Sequence, residues 1–174
     1  MCRVRRAGAL IAVVFCWLGG PAAVEAGTLT AGLTAQITVT ASCTINAATL
    51  DFGANSGSSL LVANVDTSTT MSVTCTSGSP YAIGMDYGAN ALGTLRRLGA
   101  GLNFLIYNLY LDSAHTNPWL SAAGNSSCQV FNSCYLGTGS GSAQSINIYG
   151  SVLSVGIAPP NGTYTDTITM TVTY

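Results

Sequence analysis

The chain has 174 residues, of which 48% are hydrophobic and only 6% charged, for a net charge of −1. With its arginines outside the first six residues limited to Arg96 and Arg97, it carries no basic patch for nucleic acid or an anionic membrane. Disordered chains of low charge lack the β-branched and aromatic content found here, so a folded protein is expected.

The opening stretch MCRVRRAGALIAVVFCWLGGPAAVEA places Arg3, Arg5 and Arg6 before an apolar run that ends in small residues. That layout is a secretory signal peptide, with cleavage expected after Ala26. Its apolar run is shorter than the roughly 20 residues a membrane-spanning helix needs. Removing it leaves one domain's length and sets Arg96 and Arg97 against five aspartates, a net charge of −3 with His115 neutral. Solubility then rests on Thr, Ser, Asn and Gly. Four cysteines remain, Cys43, Cys75, Cys128 and Cys134, and an even count in an exported chain predicts two disulfides with three pairings open. No C-x-x-C pair is present and His115 stands alone, so no metal site is expected.

Residues 28–43 read TLTAGLTAQITVTASC. Every odd position is apolar or small and the even ones are Thr, Gly, Gln or Ser, the period-2 signature of a strand with one buried face. Sixteen residues at about 3.3 Å each would reach roughly 50 Å, well beyond an ordinary strand of about 17 to 20 Å. Further strands are predicted at TLDFG (49–53), TTMSVTCT (69–76), YAIGMDY (81–87), LNFLIYNLYLD (102–112), QSINIYGSVLSV (144–155) and YTDTITMTVTY (164–174), separated by turn-formers such as Ser77-Gly78-Ser79-Pro80. This succession predicts a β-sandwich. LNFLIYNLYLD carries large apolar residues on both faces, as a doubly covered central strand would.

In the last of these segments Ile168, Met170, Val172 and Tyr174 share one face, opposite a row of threonines. As an edge it would lack Lys or Pro protection. An N-terminus with surplus strand and a C-terminus short of a partner both fit a subunit that donates its first strand to a neighbour's groove. Such a contact is heterologous and grows fibres rather than rings.

Taken together, TVTASCTINAATLDFG (38–53), VTCTSGSPYAIGMDYGANA (73–91), RRL (96–98), LIYNLYLDSAHTNPW (105–119) and GTYTDTITMTVTY (162–174) resemble the spore coat U domain family, which includes the pilins of archaic chaperone-usher pili. The resemblance covers essentially the whole chain after the signal peptide. It implies an all-β, incomplete immunoglobulin-like sandwich, completed by donor-strand exchange. It also implies a signal peptide at 1–26, a donor strand at 27–37 with Leu29, Ala31, Leu33, Ala35 and Ile37 as pocket fillers, and a pilin domain at 38–174. It implies further that Cys43 pairs with Cys75 and that Ile168, Met170, Val172 and Tyr174 form the edge a chaperone engages. The implied partners are copies of itself or sister pilins, a periplasmic chaperone and an outer-membrane usher. The implied location is an extracellular fimbrium supporting adhesion and biofilm. Trp119 is followed by Leu120 rather than the family's Gly, and Cys128 and Cys134 are extra to the pattern, placed to close the short loop CQVFNSC.

No enzymatic activity or cofactor is expected. His115 with Asp112 lacks a nucleophile motif such as G-x-S-x-G, Asp51-Phe52-Gly53 stands without the other kinase signatures, and GTGSGS (137–142) has no Lys or following helix and reads as a flexible loop. Arg96 and Arg97 are expected to pair with Asp86 or Asp112. Two other functions are carried forward: a spore-coat or matrix protein of the same fold, and a monomeric module binding a ligand through loops around Trp119 and Tyr135.

Overall fold

The computed structural model describes residues 26–46, 48–120 and 133–174. The signal-peptide prediction, apart from Ala26, and the prediction for Cys128 lie outside these residues. The chain divides into two units, Met1–Thr38 and Val39–Tyr174. In the first, residues 26–38 form no regular secondary structure and are exposed throughout.

The second unit holds eight strands among the described residues, with no α-helix and a single 3-10 turn at Ser59–Leu61. Strands β1 (Cys43–Ile45), β2 (Val65–Cys75), β7 (Gln144–Val152), β5 (Asn103–Tyr110) and β4 (Arg96–Ala100) make one sheet in the order β1-β2-β7-β5-β4. Strands β6 (Tyr135–Thr138), β3 (Pro80–Met85) and β8 (Met170–Thr173) make the other, in the order β6-β3-β8. Every pairing is antiparallel. Alternation explains the layering. Met71, Val73 and Cys75 of β2, Leu105, Tyr107 and Leu109 of β5 and Ile146 and Ile148 of β7 meet Tyr81, Ile83 and Met85 of β3 in one core.

Four local expectations change. Of the alternating stretch 28–43 only Cys43 lies in a strand: the Ser42 carbonyl accepts one backbone bond from Thr76 N–H, Ser42 N–H donates to the Thr76 side chain, and Val39 before it remains 76% exposed. Residues 49–53 are not a strand: they run past the end of β1, tied to β2 through the Thr67 hydroxyl donating to the Asp51 carbonyl at 2.9 Å. Strand β5 is internal but buries one face only. On its other face Phe104 is exposed and carries the Arg97 guanidinium 4.1 Å from its ring centre. Strands β4 and β6, short and glycine-bearing, were not anticipated at all.

Two poles of this unit matter below. Gly78 N–H donates to the Gly139 carbonyl at 2.8 Å and Gly141 N–H to the Cys75 carbonyl at 3.0 Å. The 137–142 stretch therefore knits the pole where the chain enters at Ser42, and is not the flexible loop expected. The opposite pole gathers the β4–β5 turn, the start of β2 and the segment after β7, since Val65 pairs with Val152 and Val152 with Tyr107.

Candidate functional site

The C-terminal segment does not behave as one strand. Residue Thr165 exchanges hydrogen bonds with Gly99 of β4, the Thr167 carbonyl accepts from Ala89 and the Thr169 carbonyl from Asp86. Only then does Met170–Thr173 pair with β3, Met170 opposite Met85 and Thr173 opposite Ala82. Changing partners along its length explains why the strand label is shorter than the alternation. Among the described residues, β8 has β3 on one side and no strand on the other.

Beside that unpaired edge lies a cleft of about 410 Å³ between the sheets. Its floor is Tyr107, Leu109 and Ile148 with Met85, one rim is Ala48, Leu50 and Phe52, and the other is Asp166, Ile168 and Met170. The apolar residues of both rims, with Val172 beyond them, pack against the core yet stay half-buried. Gly150 in β7 leaves the space that the Leu50 side chain and the Phe52 ring occupy. Tyr174 is more than half exposed.

A polar cluster closes the cleft toward the pole opposite Ser42. Asp166 accepts from the Tyr107 hydroxyl at 2.8 Å and from Asn90 N–H at 3.0 Å. Gly88, at φ +86°, admits this carboxylate where any Cβ would collide with it. Asp86 accepts from the backbone N–H groups of Gly88 and Thr169, both at 2.9 Å. Burial alone would raise its pKa, but the bonds from Thr169 and Gly88 and the nearby Arg96 charge hold it below the ordinary carboxylate range. Burial lowers Arg96, opposed by Tyr107, Tyr87, Asp86 and Asp166, while burial and the bond to Asp166 push the Tyr107 hydroxyl up.

The expected arginine salt bridges are not formed. Buried Arg96 instead donates to the backbone carbonyls of Asp86 and Met85, both at 2.9 Å, clamping the end of β3. Arg97 donates to the Asn90 carbonyl at 2.8 Å. His115 has its Nδ1 3.7 Å from Asp66. Asp112 accepts from Thr116 and Asn117 in its own turn, so the two residues do not form a base and its orienter.

Trp119, around which the alternative ligand-binding module was placed, is fully buried and offers no ring face to a ligand. Its indole N–H donates to the Ile83 carbonyl at 2.9 Å, and its ring lies 6.4 Å from that of Tyr135, which in turn stacks on Tyr81. This is core. Cys43 and Cys75 form a disulfide between directly opposed positions of β1 and β2. Cys134 is buried and engaged. The residues Leu29, Ala31, Leu33, Ala35 and Ile37 are all exposed, Leu29 completely.

The domain is an all-β, immunoglobulin-like sandwich whose β8 edge is open over an apolar cleft. The Spore Coat Protein U domain model matches residues 29–171, and the chain belongs to that family. No curated protein matches it. Among solved structures it is similar to the pre-assembly complex of the chaperone CsuC with the tip adhesion subunit CsuE, from archaic chaperone-usher Csu pili of Acinetobacter baumannii. That match has a TM-score of 0.54 and 20% identity, covering 79% of this chain and 41% of the other, so this chain spans less than half of the matched one. It is also similar to the P pilus rod subunit PapA, with a TM-score of 0.54 and 15% identity, covering 76% of this chain and 98% of the other.

Proposed function

We propose that this protein is a secreted, non-enzymatic pilus subunit that polymerises by lending residues 28–37 to the open cleft of a neighbouring copy or sister subunit. The observation that carries this is the pair of half-buried apolar rims facing each other across the cleft, beside the β8 edge, which has one strand partner among the described residues. An inserted strand would bond to the free edge of residues 165–174 and bury both rims. Residues 28–37 match that edge in length, and alternate large Leu29, Leu33 and Ile37 with small Ala31 and Ala35.

Burying the three large residues at about 1.5 to 3 kcal/mol each, with ladder hydrogen bonds netting about 1 kcal/mol apiece, gives a contact of order 10 kcal/mol. Before assembly the same edge would be held by a periplasmic chaperone, and an outer-membrane usher would deliver the subunit to an extracellular fimbrium serving adhesion and biofilm. The relatives of similar fold, one bound to a chaperone and one a pilus rod subunit, support this.

The test is complementation in trans. A chain lacking residues 27–37 is mixed with a peptide of residues 28–39. The peptide should raise the melting temperature and protease resistance, and a peptide with Leu29, Leu33 and Ile37 changed to Ser should not. No stabilisation by the native peptide would refute strand donation.

A further inference from the structure

Five large apolar side chains stand exposed at the pole opposite Ser42: Leu61, Val62, Leu102, Phe104 and Ile157. Phe104 carries the Arg97 guanidinium, but none of the described residues covers Val62, Leu102 or Ile157, each more than 80% exposed. Leu102 is 94% exposed in the two-residue turn between β4 and β5, after Gly101 at φ +61°, a position usually given to polar residues or glycine. Ile157 is 85% exposed on the segment leaving β7. Beside them a pocket of about 480 Å³ is lined by Phe104, Leu105, Val155, Ile157, Pro160 and Tyr164. Tyr164 lies two residues before Asp166 of the cleft, so the pocket adjoins the end of the cleft at this pole.

We propose that this apolar pole is a subunit–subunit interface, covered in the fibre by the entry pole of a second copy of this chain. The proposal rests on the strand-donating function above, and direction and length carry it. The free edge runs from Thr165, paired with Gly99 near the apolar pole, to Thr173 and Tyr174 at the entry pole. The sheet it borders is wholly antiparallel, and a strand added in that sense runs the other way, with Leu29 at the entry pole and Ile37 at the apolar pole. A parallel strand would leave the cleft at the pole where the acceptor's own chain enters, blocking linear growth.

The donor chain therefore emerges at the apolar pole, and only residues 38–42 separate Ile37 from Cys43, where its own sandwich begins. Those six steps reach at most about 20 Å. So short a tether holds the donor's entry pole against the acceptor's apolar pole at a high effective concentration. It also brings the exposed side chain of Val39 to the mouth of the apolar pocket. The stretches 38–43, 75–80 and 137–144 of one face and 59–65, 100–105 and 153–164 of the other are free of Asp, Glu, Lys and Arg, although the Arg97 guanidinium lies over the Phe104 ring beside them. Apolar patches of this kind mark interaction surfaces.

The experiment places a photo-crosslinking residue, p-benzoylphenylalanine, at position 157 of the full chain and irradiates assembled fibres. Multimers held only by strand donation survive unheated SDS and collapse on boiling. The expected result is that irradiation leaves dimers and longer products that survive boiling, with the link mapped to residues 38–42 or 76–80 of the second copy. In parallel, Ile157→Asp with Leu102→Asp should keep the unheated ladder while at least halving the fibre's persistence length. An intact unheated ladder with no boiling-resistant product, or with links elsewhere, overturns the interface and leaves strand donation standing. An unchanged persistence length overturns it as well. Absence of any ladder from the unsubstituted chain overturns both.

Discussion

The two long sides of the sandwich use the same kinds of residue and end in opposite states. On one, Trp119, Tyr81 and Tyr135 close the space between the sheets, and the indole satisfies the Ile83 carbonyl. On the other, Leu50, Phe52, Ile168, Met170 and Val172 are as apolar and as regularly spaced, yet stop half-buried over a cleft. Burial follows from the neighbour rather than from the residue. On the sealed side the segment carrying Trp119 spans the sheets, its N–H donating to the Leu109 carbonyl of β5 and the Leu120 N–H to the Ser133 carbonyl just before β6, whereas along β8 none of the described residues does the same.

That contrast can be broken from the sealed side with the largest effect. Trp119→Ala should cost about 3 to 5 kcal/mol, since it opens a cavity in the core and removes the indole bond to the Ile83 carbonyl, and a denaturant midpoint measures it. Next comes the disulfide that fastens β1 beside the open cleft. Replacing Cys43 and Cys75 by Ala removes a crosslink across 32 residues and should cost roughly 3.5 to 4 kcal/mol in the chain-entropy model, read by the same titration.

The open side should respond conditionally. Met170→Ala should destabilise the free subunit by only about 1 kcal/mol but the strand-filled subunit by roughly 2 to 3 kcal/mol, because only there is the side chain fully buried. Equal losses with and without a donor peptide would show that the cleft is not completed by a strand. The smallest effect concerns the polar cluster at the cleft end. The Asp86 pKa is depressed in the fold, so its contribution is present at neutral pH and is lost as pH falls below about 4. Asp86→Asn should cost about 1 to 2 kcal/mol at pH 7 and flatten the acid limb of a stability profile.

The sealed core was legible in the sequence wherever one face alternates, as in Met71, Val73 and Cys75 or Ile146 and Ile148. The half-open side was legible only as a surplus at one end and a shortfall at the other. Residues 49–53 alternate like a strand but lie along the cleft, where a local pattern cannot reveal a missing neighbour. Trp119 misled for the same reason: an aromatic after a Pro in a turn-rich stretch looks like a surface residue until its indole is seen to reach β3. Arg96 had its partners misjudged because backbone carbonyls leave no mark in a sequence. Leu102 opens the predicted strand LNFLIYNLYLD and Ile157 follows the last of the QSINIYGSVLSV pattern, so neither is legible as an exposed apolar residue until both fall at one pole.

The most direct test of strand donation compares the full chain with one lacking residues 27–37, each produced with the chaperone of its own system, on unheated and heated SDS gels. A heat-sensitive ladder from the full chain, lost on removing those residues, is the predicted result. Soluble monomer from both chains, or ladders from both, would contradict the account.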